Sequence, residues 1–319
     1  MQTTLKRGLA LTAGLALAFG LAACSQTPSA SETPAAEGTT GAEAPAAEGT
    51  FAQDENTIVF ATLPDHEGAD QDAQPIADWV AEITGKEVQF FEATDYTAVV
   101  QGLAAGQIDV AQISSFTYYQ SQAAGAEIEP IGAQITAEGE PAGYYSVAIK
   151  KAGDPTASLE EYAGQKVCFV NPTSTSGRAI PTAALMDAGV EVPESDIVYG
   201  EEHDLTAAKV AEGTDCSVGF AQDADADPLI EEGSLEEIDR FLVPGAPIVM
   251  QAALPQDVKD VLVENLADST SADLEAAGIE SNAFLDENWF GFEAVDDAYF
   301  DTIRSVCEQI ADQVEACRA

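Results

Sequence analysis

The sequence predicts an α/β protein built from two similar halves. Runs rich in β-branched and aromatic residues alternate with runs of helical periodicity from residue 58 onward, and the alternation restarts near residue 145. Such alternation indicates βαβ units and a mostly parallel sheet. A hydroxyl-rich segment, 171–177, directly follows one of the predicted strands.

Each predicted element follows from its local pattern. In the first half, we predict strands at 58–63, 87–92 and 108–113 and helices at 73–84 and 96–105. In the second half, we predict strands at 145–149, 166–170, 197–199 and 216–220 and helices at 179–188 and 205–212. Two further stretches are predicted to be extended, 241–243 and 247–252, and the tail from residue 256 to be mostly helical.

The segment Asn171-Pro172-Thr173-Ser174-Thr175-Ser176-Gly177 is predicted to turn a strand into a helix. A helix N-terminus leaves backbone N–H groups unpaired, and the helix dipole adds partial positive charge there. Ser174, Thr175 and Ser176 bring three hydroxyls to the same place, beyond the carboxyl end of a strand, where parallel sheets bind ligands. This segment is therefore a candidate anion site. The alternative is an ordinary N-cap, because Ser and Thr are preferred there in any helix.

The first fifty residues predict an exported protein held at the membrane. Two basic residues precede a short apolar run that ends in Leu21-Ala22-Ala23-Cys24, which is typical of a secretory signal peptide over residues 1–23. The run is too short for a convincing transmembrane span. Cys24 stands where a bacterial lipobox places its lipidated cysteine, so we expect a lipid anchor there. Residues 24–50 then form a disordered linker without apolar periodicity.

The four remaining cysteines indicate disulfides, because their number is even and the protein is predicted to be exported. Three pairings are possible. We favour Cys168–Cys216, since both lie in short apolar runs that suit neighbouring strands, and Cys307–Cys317 would then close the end of the last helix. Zinc is the competing interpretation, but no CxxC spacing is present and the chain has two histidines, so no metal is expected.

The formal net charge of −44 argues against nucleic acid as a partner, because nucleic-acid binding needs basic patches. A small anion is still compatible with this charge. Hydrogen-bond donors in a closed cleft act at contact distance, whereas solvent screens the distant carboxylates.

The patterns typical of enzymes and of calcium sites are incomplete in this chain. The run Asp223–Asp227 resembles the start of a calcium loop but lacks its turn glycine and closing glutamate. Ser174 and His203 suggest a hydrolase pair, but there is no Gly-x-Ser-x-Gly elbow. No Walker or dinucleotide glycine pattern is present either. We expect no enzymatic activity and no cofactor.

Six separated segments between residues 58 and 254 match one known family in order and spacing. They are Thr94-Asp95-Tyr96, Ala105 to Ala111, Gly143 to Val147, Pro172 to Gly177, His203, and Pro244 to Val249. As a set, this part of the chain resembles the periplasmic phosphonate- and phosphite-binding proteins of ABC importers. Ser-Thr-Ser-Gly after a proline is the most specific member of the set.

The resemblance implies the type 2 periplasmic-binding-protein fold, in which two α/β lobes joined by two hinge strands close over a ligand cleft. Carried over to this chain, residues 51–144 and 246–319 form lobe 1, and residues 145–245 form lobe 2. The hinge crossings are expected near Tyr145-Ser146 and Pro244-Gly245.

The resemblance also implies ligand-binding residues from both lobes. Ser174, Thr175 and Ser176 match family residues that hold phosphonyl oxygens through hydroxyls and backbone amides. Tyr96 and Tyr144 match tyrosines that donate from the opposite lobe. Without the resemblance, half-buried packing would be the preferred interpretation of both tyrosines.

Three further positions bear on charge and specificity. His203 matches a family histidine that donates to the ligand, and its acidic neighbours lead us to expect the protonated form. Asp223 lies close to the position of a family carboxylate that holds the ammonium group of aminophosphonates. The second such position carries Ala246 instead of an acid, which should weaken the binding of an ammonium-bearing ligand.

These expectations combine into one function. We expect an extracytoplasmic, membrane-anchored substrate-binding lipoprotein that binds phosphonate, phosphite or phosphate and delivers it to a cognate ABC permease. The alternatives are the same fold with a different small anion or organic solute, and a surface lipoprotein without a transport role.

Overall fold

A computed structural model describes residues 49–318. The predicted signal peptide, Cys24 and nearly all of the predicted linker lie outside the described residues. The strands are β1 (Thr57–Ala61), β2 (Glu87–Phe90), β3 (Val110–Gln112), β4 (Ile128–Ile135), β5 (Gly143–Lys151), β6 (Val167–Phe169), β7 (Ile197–Tyr199), β8 (Val218–Gln222), β9 (Leu235–Pro244), β10 (Pro247–Gln251), β11 (Ser269–Thr270) and β12 (Gly291–Ala294). The α-helices are α1 (Ala69–Asp72), α2 (Gln74–Thr84), α3 (Tyr96–Ala104), α4 (Ser115–Ala123), α5 (Ile180–Asp187), α6 (His203–Glu212), α7 (Asp223–Glu232), α8 (Gln256–Leu266), α9 (Ser271–Ala276), α10 (Ala283–Asn288) and α11 (Asp301–Ile310).

The strands form two groups. In the first, β1 lies parallel to β2 and β3, while β10 runs antiparallel to β3 and β4, and β12 antiparallel to β4. In the second, β5 runs antiparallel to β8 and β9, while β6 lies parallel to β7 and β8. The groups meet where Ile135 of β4 pairs with Gly143 of β5.

The prediction of a mostly parallel sheet is wrong, because the sheet is mixed. The chain returns from the second group to the first through Gly245 and Ala246 alone. Strand β10, which follows this short connection, runs antiparallel to both of its neighbours, β3 and β4.

Helix α4 and strand β4 have no counterpart among the predicted elements. In α4, polar side chains such as Ser115, Thr117 and Ser121 are buried together with Phe116 and Tyr118. Burial on most of its circumference removes the apolar stripe that marks a surface helix in a sequence. Tertiary contacts, and not an amphipathic sequence pattern, therefore determine that residues 115–123 form helix α4.

The C-terminal helix α11 packs against helices α4 and α5. Ile303, Cys307 and Ile310 of α11 share one core cluster with Phe116 of α4 and Ile180 of α5. This core cluster packs against the end of the turn that follows the hydroxyl-rich segment 171–177. No helix within residues 49–318 is long and apolar enough to cross a bilayer.

Both disulfides pair as predicted. Cys168 of β6 is bonded to Cys216, which lies two residues before the start of β8, with Cα atoms 5.8 Å apart. Cys307 and Cys317 close the C-terminal segment, with Cα atoms 4.9 Å apart.

Candidate functional site

The segment after β6 begins with an ordered turn. The side-chain oxygen of Asn171 accepts hydrogen bonds from both the backbone N–H and the hydroxyl of Thr173, at 3.1 and 2.8 Å. Ser174 is the N-cap, since its Oγ accepts the N–H of Gly177 at 3.0 Å. The chain continues as a π-helical turn over Thr175–Ala179 and then as α5. Ser174 therefore caps a helix N-terminus, as the alternative interpretation of this segment predicted.

Gly177 allows the turn to fold this tightly. A Cβ at this position would lie 2.3 Å from Cβ of Val170, well inside van der Waals contact. The N–H of Val170 also donates to the carbonyl of Gly177 at 3.1 Å. Glycine thus lets the hydroxyl residues fold back onto the end of β6.

His203 joins the serine segment from the start of α6. Its Nε2 lies 3.4 Å from Oγ of Ser174 and 3.4 Å from Oγ of Ser176. Its Nδ1 accepts the backbone N–H of Gln222 at 2.9 Å. A backbone N–H can only donate, so the ring hydrogen is on Nε2, facing the two serines.

The predicted protonation of His203 is wrong. Burial lowers the pKa of this imidazole to about 4, and it outweighs the opposing charges of Asp65 and Asp204. His203 is 2% exposed, and the donor from Gln222 occupies the nitrogen that would take up a second proton. The acidic residues next to His203 in the sequence do not raise its pKa enough to offset the effect of burial.

Two tyrosines reach the same place, Tyr96 from the first strand group and Tyr144 from the second. Tyr96 is the first residue of α3, positioned by the N-cap Asp95, and its phenol interacts electrostatically with the side chain of Ser174. The phenol of Tyr144, in β5, interacts in the same way with Ser176. Burial raises the pKa of both phenols above the usual value, so both remain neutral donors at neutral pH.

Thr175 and Ser176 also connect the elements around them. Oγ1 of Thr175 accepts the N–H of Phe116, at the start of α4, at 2.8 Å. The carbonyl of Ser176 accepts the hydroxyl of Ser146 at 2.6 Å. The hydroxyl of Thr175 thus has a structural partner and still has its hydrogen to donate to an anionic ligand.

Asp223 lies beside this cluster, on a neighbouring cavity. It begins α7 and accepts the N–H of Tyr145 at 3.2 Å, and burial raises the pKa of its carboxyl. The cavity has a volume of about 720 Å³, and Tyr144 and Ala246 line it as well. The structure thus brings Tyr96, Tyr144, His203 and the serine segment together, whereas Asp223 faces the adjoining space.

Comparison with known proteins identifies the family. A family model described as "ABC transporter, phosphonate, periplasmic substrate-binding protein" matches residues 60–300. The chain belongs to this phosphonate-binding family. The family consists of periplasmic solute-binding proteins of ABC transporters and not of enzymes, so the predictions of family, extracytoplasmic location and non-enzymatic role are confirmed.

Individual relatives agree with this assignment. The chain is 34% identical over 274 residues to the "Phosphate-import protein PhnD" of Mycolicibacterium smegmatis, covering 79% of this chain and 85% of that protein. It is 25% identical over 233 residues to the "Phosphonates-binding periplasmic protein" of Escherichia coli, covering 70% and 67%.

Solved structures show the same fold. A binding component of an ABC phosphonate transporter from Pseudomonas aeruginosa superposes with a TM-score of 0.69 at 22% identity, over 82% of this chain and 90% of that chain. A Prochlorococcus marinus protein in complex with methylphosphonate gives 0.63 at 17% identity, over 80% and 98%. The periplasmic-binding-protein fold predicted from the sequence is confirmed.

Three residues that line the cavity of this family member were not predicted from its sequence, namely Asp65, His66 and Asp72. His66 donates from Nδ1 to Oδ1 of Asp65 at 2.8 Å and from Nε2 to Oδ2 of Asp72 at 2.9 Å. Burial alone would lower the pKa of His66, but the two carboxylates raise it to about 10. The available signal was position, because Asp65 and His66 follow the carboxyl end of β1, where α/β sheets bind ligands.

Proposed function

We propose that this protein is a lipid-anchored receptor that captures a small phosphorus oxyanion outside the cytoplasmic membrane and delivers it to an ABC permease. The ligand class is phosphate, phosphite or a small phosphonate. Membership of the phosphonate-binding family supports the class, and the name of the M. smegmatis relative supports phosphate as one candidate. Cys24 carries the lipid in this proposal, and the linker after it tethers the folded part.

One observation carries the proposal: neutral donors from both strand groups converge at a single buried point. Nε2 of His203 is 3.4 Å from each serine hydroxyl, which is longer than an ordinary hydrogen bond. An anion oxygen seated among these groups gains strong charge-assisted bonds and displaces only weak contacts. The surrounding burial excludes water and strengthens each bond.

Closure of two lobes is the proposed mechanism of capture. The lobes are 51–144 with 246–319, and 145–245, as the resemblance implies. Two backbone N–H groups donate across the boundary, Phe116 to Thr175 at 2.8 Å and His203 to the carbonyl of Asp65 at 2.6 Å. Opening the cleft breaks both bonds, so a ligand that bridges the lobes shifts the population towards the closed state.

A ligand panel tests the proposal on the secreted chain without its signal peptide. Phosphate, phosphite, methylphosphonate and 2-aminoethylphosphonate are added one at a time, and the melting temperature is recorded. At least one ligand should raise it, because a ligand that binds only the folded state stabilises that state by mass action. No shift with any of the four, at millimolar concentration, contradicts the proposed ligand class.

A further inference from the structure

The C-terminal helix α11 lies across the boundary between the two proposed lobes. Its apolar residues Ile303 and Ile310 belong to a core cluster that also contains Phe116 of α4, in lobe 1, and Ile180 of α5, in lobe 2. Val243, which directly precedes the second predicted hinge crossing, is part of the same cluster. The helix therefore packs beside the hinge and contacts both lobes at once.

The N-terminal end of α11 is fixed to lobe 1. The guanidinium of Arg304 donates to Oε1 of Gln122 in α4 at 3.1 Å and to Oδ1 of Asp297 at 2.6 Å. Gln122 in turn donates to the same oxygen of Asp297 at 2.9 Å. All three residues belong to lobe 1 in the proposed division, so these hydrogen bonds do not cross the boundary.

The C-terminal end of the helix is fixed to lobe 2. Nε2 of Gln309 donates to Oδ1 of Asp187, at the end of α5, at 2.8 Å. Beyond the helix, the carbonyl of Gln313 accepts a hydrogen bond from the guanidinium of Arg178 at 3.3 Å. The C-terminal disulfide closes the loop that carries Gln313, which restricts where this carbonyl can lie. Two hydrogen bonds therefore connect the end of the chain to lobe 2.

Arg178 joins this connection to the serine segment. It is the second residue after Ser176, and its side chain is buried against Phe169, with the guanidinium 4.7 Å from the ring centroid. Within residues 49–318, Arg178 forms no ion pair, and its guanidinium has the carbonyl of Gln313 as its hydrogen-bond acceptor. Loss of that carbonyl would leave a buried charge without a partner, which is costly.

We propose that α11 is a third connection between the lobes, beside the two hinge strands, and that it limits how far the cleft opens without ligand. This inference rests on the two lobes of the proposed function. The helix is joined to lobe 1 by the chain itself, and to lobe 2 by Gln309, Gln313 and the apolar cluster. Wide opening of the cleft breaks these lobe 2 contacts. A restricted opening keeps more of the unliganded protein near the closed state, and ligand affinity rises with that fraction.

Distance measurements between two spin labels test the inference on the chain without its signal peptide. The labels are attached at Asp78→Cys in α2 and Ala208→Cys in α6, which are exposed positions in different proposed lobes. These helices follow the two residues, Asp65 and His203, whose backbones are bonded across the cleft, so opening should lengthen the distance between the labels. Electron–electron double resonance gives the distance distribution with and without phosphate.

The double variant Gln309→Ala with Arg178→Met removes both lobe 2 hydrogen bonds, while methionine still fills the space of the arginine stem. Without ligand, its distance distribution should shift to longer values than in the unaltered protein. With saturating phosphate, the two proteins should show the same distance. Calorimetric titration should show phosphate affinity reduced about fivefold to tenfold, because the variant loses two hydrogen bonds that favour the closed state.

Arg304→Ala is the matched control. It removes hydrogen bonds from the same helix, but all of them lie within lobe 1, so distances and phosphate affinity should match those of the unaltered protein. An unchanged unliganded distribution in the double variant overturns the inference, and so does an equal shift in Arg304→Ala. If the double variant does not fold, Gln309→Ala and Asp187→Ala are measured singly, with the same two outcomes. An unaltered protein whose distances respond to no ligand of the panel instead contradicts the proposed closure.

Discussion

Nδ1 of His203 accepts the backbone N–H of Gln222 at 2.9 Å. This bond fixes the imidazole as a neutral donor directed at Ser174 and Ser176. The donors that the sequence analysis singled out are thus neutral groups, although the whole chain carries a formal charge of −44. Selectivity then depends on the number and placement of hydrogen bonds, because no cation among these donors provides a general attraction for anions.

The two histidines of the chain should titrate far apart. Burial lowers the pKa of His203 to about 4, while Asp65 and Asp72 outweigh burial at His66 and raise its pKa to about 10. Between these values His203 is neutral and His66 is charged. A proton NMR titration of the unliganded protein should therefore show two imidazole signals that stay constant from about pH 5 to pH 9. A signal with a midpoint between pH 6 and 7 contradicts the assignment.

Ser176→Ala should reduce oxyanion affinity with little loss of stability. Its hydroxyl contacts His203 at 3.4 Å and Tyr144, and it caps no helix. Isothermal titration should show phosphate or phosphonate binding weakened about tenfold, since a hydrogen bond to a charged group contributes roughly 1.5–3 kcal/mol. The melting temperature without ligand should change little.

Two other serines serve as comparisons for Ser176→Ala. Ser174→Ala should reduce affinity and also destabilise the fold by about 1 kcal/mol, because Ser174 caps the turn. Ser269→Ala, at an equally buried serine of β11, should change stability but not affinity. Unchanged binding in Ser176→Ala would remove this residue from the site.

Ala246→Asp should change ligand preference towards an ammonium-bearing phosphonate. Ala246 lines the cavity together with Asp223, so a new carboxylate there gives a ligand ammonium a second anionic partner. The ratio of 2-aminoethylphosphonate affinity to methylphosphonate affinity should rise about tenfold in a competition titration. Ala246→Asn is the control with the same shape and no charge. An equal rise in both variants would show that size, not charge, determines the preference.

The sequence predicted the local elements around the site. The strand at 166–170, the helix that follows it and the start of α3 at Tyr96 all depend on local pattern and capping, and the structure has them within one or two residues. The disulfide pairing was also predicted correctly, because Cys168 lies in β6, Cys216 lies just before β8, and these two strands are neighbours.

The family resemblance added the convergence of distant residues. Tyr96, Tyr144 and His203 meet the serine segment as the resemblance implied, although their contacts span much of the chain. Their roles in binding stay predictions until a ligand is measured.

What the sequence alone determined is the order and type of most elements, the cysteine pairing and the presence of hydroxyl groups at a strand end. Only the tertiary structure decided the charge of the two histidines. His203 has acidic neighbours along the chain yet is neutral, and His66 is charged by Asp65 and by Asp72 six residues away. The reason is physical: local pattern follows from neighbours in sequence, whereas protonation depends on burial and on partners that only folding brings together.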